Sequence, residues 1–246
     1  MDTLQTNSNL EFLYQDDYLL AVNKLAGMIV HADGTNELSL TDLVCEKLRT
    51  LESSNKIDLS QIQALNRLDK ETTGIVLFSL KKETQSQFDQ LITSKELSKE
   101  YLAVVKGDFG LNKLLIDKAI GKDRHDAQKM RISNTGKPSQ TEVRLIKAVS
   151  SAQGQTQSLL LVNLLTGRKH QIRVHLSSLG FPLIGDTLYG GVSSLQRGAK
   201  KKHKQQPLML HAYRVEFIHP VTGAKIVIKT DIPRRFSNFG VLEKDL

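Results

Sequence analysis

The sequence predicts an α+β fold, a mixed and largely antiparallel β-sheet flanked by helices and loops. Three observations lead there. Short apolar runs with strand character outnumber helical stripes. They come in consecutive groups instead of alternating singly with helices. Tight turn signals join several of them, as at His219-Pro220-Val221-Thr222-Gly223. No repeat, low-complexity block or long linker interrupts the 246 residues. The expectation is a frayed N-terminus over residues 1–10 followed by a single domain over 11–246.

In chain order, Glu11–Tyr14 and Tyr18–Val22 read as short strands around a turn at Asp16-Asp17. After Gly27 comes another apolar run, Met28-Ile29-Val30. Ser39 can cap a helix whose first turn holds Asp42 and whose face carries Leu40, Leu43, Val44, Leu48 and Leu51. A polar connection over 52–62 leads to Leu65-Asn66-Arg67-Leu68-Asp69-Lys70-Glu71-Thr72-Thr73-Gly74, and then to the buried-strand run Ile75–Phe78. Thr84-Gln85-Ser86-Gln87 has the pattern of a capping box ahead of the stripe Phe88, Leu91, Ile92. Lys99–Gly107 alternates as a strand, with Tyr101, Ala103 and Val105 on one face. Residues 117–139 are basic and loop-like. Strands are expected at Glu142–Val149 and Ser158–Leu165. A helix is expected to open at Gly167 and stop at Gly180, with Ile172, Leu176 and Leu179 facing the core. A glycine-rich loop at 182–191, a polar insertion over 193–206, and a hairpin of Leu208–Ile218 with Ala224–Lys229 complete the chain.

The net charge is +8, which points to a polyanionic partner, nucleic acid being the commonest. A single cysteine, Cys45, rules out an internal disulfide and a cysteine-rich metal cluster, and suits a reducing compartment. No signal-peptide pattern opens the chain and no apolar run approaches the length of a bilayer. The expected location is cytoplasmic. With no heptad or exposed apolar stripe, a monomer is the default.

Two stretches carry candidate chemistry. Asp69 stands between the cations Arg67 and Lys70, on a turn at the mouth of a rigid strand. A solvated strand-entry turn explains that stretch as well as a catalytic carboxylate does. Within Gly167–His175, five polar side chains (Arg168, His170, Gln171, Arg173 and His175) share a segment with core positions. Arg168 and Lys169 near a helix start work against the macrodipole, which suits an anionic partner. A zinc site at His170 and His175 fails because residues five apart do not share a helical face. Tyr101 read alone is more often packing than a platform on which a base stacks. Arg197–Lys204, with Lys200, Lys201 and Lys202, is most simply a solvated charge run, one that would also contact phosphates if RNA bound nearby.

Taken together these segments resemble the RluA-type RNA pseudouridine synthases, in that family's order, from about residue 11 to 233. Asn66-Arg67-Leu68-Asp69 with Thr72-Thr73-Gly74 looks like the active-site motif. Lys99–Gly107 resembles the second motif and Leu164–His175 the third. Val22-Asn23-Lys24, Pro182–Asp186 with Tyr189-Gly190, and Leu210-His211-Ala212 match further blocks. The resemblance implies the pseudouridine synthase catalytic fold and isomerisation of uridine to pseudouridine in structured ribosomal or transfer RNA. No metal or organic cofactor is implied. Asp69 would be the catalytic aspartate, attacking C1′ or removing the C2′ proton. Arg173 would pair with it, and Tyr101 would stack on the uracil and take the C5 proton. Arg67 would fill the space left by the flipped nucleotide, with Arg168 and Lys169 on phosphates.

Three positions depart from the family's pattern. Asn66 stands where histidine is usual, Leu25 where proline is, and Lys169 where threonine is common. The accessory RNA-binding domain of many relatives is not expected ahead of Asp69. One rival reading is an inactive RNA-binding or chaperone module on the same scaffold. Another is a basic hydrolase pairing Asp69 with a histidine, for which no nucleophile signature is present.

Overall fold

The computed structural model describes residues 10–34, 37–51, 57–94, 96–150, 154–190 and 206–246. Its strands are β1 (Glu11–Gln15), β2 (Leu19–Lys24), β3 (Gln63–Ala64), β4 (Thr73–Ser79), β5 (Ser98–Lys106), β6 (Lys113–Asp117), β7 (Ile120–Lys122), β8 (Met130–Ile132), β9 (Gln140–Ser150), β10 (Thr156–Leu164), β11 (Leu210–Ile218) and β12 (Lys225–Lys229). The α-helices among the described residues are α1 (Leu40–Thr50), α2 (Gln85–Thr93) and α3 (Gln171–Ser178). Short strands in consecutive groups with few helices are the expected α+β arrangement. The chain divides into two compact units, Met1–Lys99 with Ala212–Asp231, and Glu100–His211 with Ile232–Leu246.

In the first unit the strand order is β1-β2-β4-β11, with β12 beside β11 and β3 beside β4. The pairs β1–β2, β2–β4, β3–β4 and β11–β12 are antiparallel. Alternate residues of these strands, Leu19, Ala21, Ile75, Leu77, Val215 and Phe217, build one apolar face, and α2 covers it with Phe88 and Leu91. Helix α1 starts as the sequence predicts. The Ser39 hydroxyl accepts from the Asp42 amide, and the Asp42 carboxylate accepts from the Ser39 amide, a reciprocal cap. Leu51 falls outside the helix as its C-terminal cap and is 37% exposed. The apolar run at Met28–Val30 is not a strand. Its carbonyls at Ile29 and Val30 instead accept from the Leu40 and Thr41 amides and hold the start of α1.

The capping box expected at Thr84 does not form. A 3₁₀ turn over Lys82–Thr84 leads into α2, Thr84 is already helical (φ −100°, ψ −4°), and its hydroxyl donates back to the Lys81 carbonyl. A cap needs an extended residue whose side chain reaches forward to the helix amides, whereas Thr84 is helical and its hydroxyl is turned back.

In the second unit the order is β5-β10-β9-β6, all antiparallel, and β7 and β8 form a separate hairpin. Residues 117–139 therefore hold strand structure where the sequence suggests a loop. Mostly exposed or half-buried residues leave little apolar alternation to read there. Five consecutive residues of β5, Tyr101 to Val105, are buried, so both faces of that strand are covered. The Pro182–Asp186 segment runs beside β5, with the Lys106 amide donating to the Pro182 carbonyl and the Ile184 amide to the Val104 carbonyl. Helix α3 begins at Gln171, four residues later than expected, because His170 is left-handed (φ 56°, ψ 20°) and cannot continue a helix. Leu179 caps its C-terminus and is half-buried, whereas Ile172 and Leu176 lie in the core.

Candidate active site

Asp69 sits on a turn closed by the Thr72 amide donating to its carbonyl (3.0 Å). Leu68 beside it is buried, Asp69 is half-buried, and Arg67 and Lys70 are exposed. Lys70 turns away to Glu37 in an exposed ion pair at 2.6 Å. The cation that fixes the turn is Lys24, whose residue is 0% exposed. Its Nζ donates to the carbonyls of Leu25 (3.0 Å), Lys70 (2.9 Å) and Thr72 (2.8 Å). Three donors and three acceptors match, so the ammonium clamps the backbone on both sides of Glu71. Burial pushes the Lys24 pKa down to about 8, against the charges of Glu71 and Asp69, which hold it up. The signal for Lys24 was its place at the end of a largely apolar strand, Leu19–Lys24, where a lysine is out of character.

Asn66 also has a local task. Its side chain donates to the Ile75 carbonyl (3.3 Å) and accepts from the Leu77 amide (2.7 Å), imitating a neighbouring strand along β4. The departure from histidine is accommodated as backbone pairing.

The second unit holds Tyr101 on β5, Arg168 and Lys169 before α3, and Arg173 within it. Arg168 and Lys169 precede the helix instead of occupying its first turn, and both are exposed. The Arg168 guanidinium donates to the Pro138 carbonyl (3.2 Å). Gln171 organises this loop: its side-chain oxygen accepts from the Thr166 hydroxyl and the Arg168 amide, and its nitrogen donates to the Gln140 carbonyl and the Thr141 hydroxyl. Tyr101 is 6% exposed and pairs with Val162 of β10. Lys200, Lys201 and Lys202 lie outside the described residues.

Arg173 is buried and fork-bonded to Asp186, Nε to Oδ2 at 2.8 Å and Nη2 to Oδ1 at 2.9 Å. Asp186 also accepts from the Leu188 and Tyr189 amides (2.9 and 3.0 Å). Burial works to raise the Asp186 pKa, but the Arg173 guanidinium and the two amides outweigh it and hold the carboxyl below its ordinary range. The Tyr189 ring lies 5.2 Å from the guanidinium carbon. Sequence reasoning missed Asp186 and Tyr189 as supports of Arg173. Both sit in the glycine-rich loop, whose spacing says nothing of which side chain it serves.

Two buried histidines are kept neutral. His175 donates from Nε2 to the Lys118 carbonyl and accepts at Nδ1 from the Thr141 hydroxyl, and burial lowers its pKa. Burial, with the charge of Arg235 behind it, pushes His211 down to about 3. Both folded pKa values lie below that of an unfolded histidine. Their stabilising contribution is therefore complete above about pH 6.5 and is lost as pH falls toward the folded values. Unfolding midpoints should begin to drop below about pH 6.5, with His211 costing on the order of 5 kcal/mol at the acid end. In a pH series of denaturant melts, His211→Gln should flatten the slope between pH 6.5 and 4. An unaltered slope would refute the assignment. Asp186 acts in the same direction, only below about pH 4.

Among the described residues no cluster of three or more His, Cys, Asp or Glu could hold a metal ion, and no helix is long and apolar enough to cross a membrane.

Residues 18–178 match the sequence profile of a family described as RNA pseudouridylate synthase. A ribosomal large subunit pseudouridine synthase C of Buchnera aphidicola is 34% identical over 236 residues, covering 95% of this chain and 71% of that protein. A tRNA pseudouridine synthase C of Pasteurella multocida is also 34% identical over 236 residues, 92% of this chain and 93% of that one. The solved structure of human RNA pseudouridylate synthase domain containing 4 matches with a TM-score of 0.73 and 25% identity, over 94% of this chain and 92% of that. With likeness in sequence and in fold running along most of its length, the chain belongs to the RluA-type RNA pseudouridine synthases, isomerases that turn uridine into pseudouridine.

Proposed function

We propose that the protein isomerises specific uridines of structured RNA, ribosomal or transfer, with Asp69 as the catalytic carboxylate. The observation that carries the assignment is the clamped turn: Lys24 binds the carbonyls of Lys70 and Thr72, so the backbone presenting Asp69 is held before substrate arrives. The reaction breaks the C1′–N1 bond, turns the uracil and rejoins it through C5, whose proton leaves to solvent. Asp69 supplies either the attack on C1′ or the removal of the C2′ proton. Arg173 holds the aspartate charged and aimed, and Tyr101 stacks on the uracil and takes the C5 proton. Arg67, exposed beside Asp69, fills the gap left by the flipped nucleotide. Arg168 and Lys169 bind phosphates, aided by Lys200, Lys201 and Lys202 and by the basic stretch 118–137. The domain over residues 11–246 works in the cytoplasm as a monomer, without metal or organic cofactor.

Tritium release from RNA labelled at uracil C5 tests this whichever uridine is modified. The native protein should release tritium from bulk ribosomal or transfer RNA. Asp69→Asn should lose about a thousandfold or more of that rate while RNA affinity is kept. Salt-sensitive binding by both proteins with no release from either RNA pool would favour the inactive binding module.

A further inference from the structure

Tyr189 is engaged through every group it has. Its amide donates to Asp186 (3.0 Å) and its carbonyl accepts from the Ser177 hydroxyl (2.9 Å). Its ring lies against the Arg173 guanidinium. Its hydroxyl accepts from the Met130 amide (2.8 Å), which leaves the phenolic proton for His170 Nδ1, also at 2.8 Å. Met130 stands on β8 between Lys129 and Arg131, in the hairpin that also carries Lys122 and Arg124. His170 caps α3 three residues before Arg173.

His170 is also the one non-glycine residue with positive φ among those described. A residue with a Cβ is disfavoured in that conformation, and glycine or asparagine would suit it better. Strain of this kind persists where surrounding contacts over-determine the position. Here the contact is with Tyr189, by hydrogen bond and by an edge-on ring packing at 5.6 Å.

We infer that Tyr189, together with His170, is a positioning residue for Arg173, and that it ties the basic β7–β8 hairpin to that arginine so that RNA held on the hairpin sets its placement. The inference rests on the proposed role of Arg173. The coupling runs from the Met130 amide to the phenol, then by two routes. One is the ring against the guanidinium, and the other is His170 at the start of the helix that bears Arg173. Neither Tyr189 nor His170 need touch the uridine.

Tyr189→Phe keeps the ring and deletes the hydroxyl. His170→Gly removes the imidazole and relieves the strained backbone. Both are assayed by single-turnover tritium release on C5-labelled bulk ribosomal and transfer RNA, by RNA affinity, by thermal midpoint and by hydrogen exchange at the Met130 amide. Faster Met130 exchange is expected in Tyr189→Phe. In both variants the turnover rate should fall about tenfold or more, with RNA affinity kept to within about twofold. His170→Gly should lose rate even where its melting point is unchanged or higher. If Tyr189→Phe does not fold, His170→Gly carries the test. An unchanged rate despite accelerated Met130 exchange would overturn the inference, as would losses of rate and stability in strict proportion. Silence from the native protein would instead bring down the reading of Arg173 and this one with it. Met130 exchange would still report whether the phenol holds the hairpin.

Discussion

Replacing Asp186 by alanine is expected to destabilise the protein by about 3 to 5 kcal/mol, the usual result of stripping the partner from a buried charge. The Asp186 side chain is fully buried and that of Arg173 nearly so, 0% and 8% exposed. Solvent cannot replace the two hydrogen bonds the guanidinium loses, and the Leu188 and Tyr189 amides lose their acceptor as well. For a chain of this size the melting point should fall by roughly 10 °C. Asp186→Asn separates charge from shape. It keeps one acceptor oxygen for the amides but removes the negative charge and sets an NH2 against one guanidinium donor, leaving the Arg173 cation half-satisfied, so its cost should lie between alanine and native. At a temperature where all three are folded, the alanine variant should lose turnover more than RNA affinity, because Arg173 is the group set loose. Melts of the three proteins decide the matter, and an asparagine variant as stable as native would show that the ion pair contributes nothing net.

Gly74→Ala should be at least as damaging, at about 3 kcal/mol or more. Gly74 follows the Asp69 turn at the head of β4 with φ +110°. That value lies outside the left-handed well, so a side chain is strained there whatever the space. The space is also missing, since a Cβ would sit 2.7 Å from the Ala212 nitrogen with the rest of that peptide closer or beside it. Backbone in the middle of a strand cannot yield as a flexible side chain can. Gly27→Ala is the control. Gly27 has φ +85° with nothing within 4 Å of its Cβ position, so it meets conformational strain alone, at about 1 to 2 kcal/mol. Denaturant midpoints of the two variants should differ clearly in that order. Equal midpoints would mean the close approach of Ala212 is harmless. Because the Gly74 displacement falls next to Asp69, residual activity per folded molecule should drop as well.

Much of this architecture is legible in the chain itself. The strands around Asp16-Asp17, the Ser39 cap, the β9–β10 and β11–β12 hairpins and the core of α1 follow from period, capping chemistry and turn residues, which act within a few residues of one another. The ordered motifs carried the family assignment, since each is weak and their sequence along the chain is not. Signals failed where a distant group took over a local one. Thr84 has the residue type of a cap, yet its hydroxyl goes to Lys81. The start expected at Gly167 moved to Gln171 because His170 is held left-handed against Tyr189, 19 residues along the chain.

By itself the sequence determined the fold class, the basic character and the family, and through its motifs it put forward Asp69, Tyr101 and Arg173 as the residues proposed to carry the chemistry. Only the tertiary structure decided what supports them within each unit. Lys24 clamps the Asp69 turn from 46 residues away, and Asp186 and Tyr189 hold Arg173 from 13 and 16 residues away. The physical reason is range. Propensity and periodicity report on neighbours in the chain, whereas a buried charge must find its partners in space, and nothing in the local pattern around a lysine or an aspartate says which distant carbonyl or guanidinium will meet it.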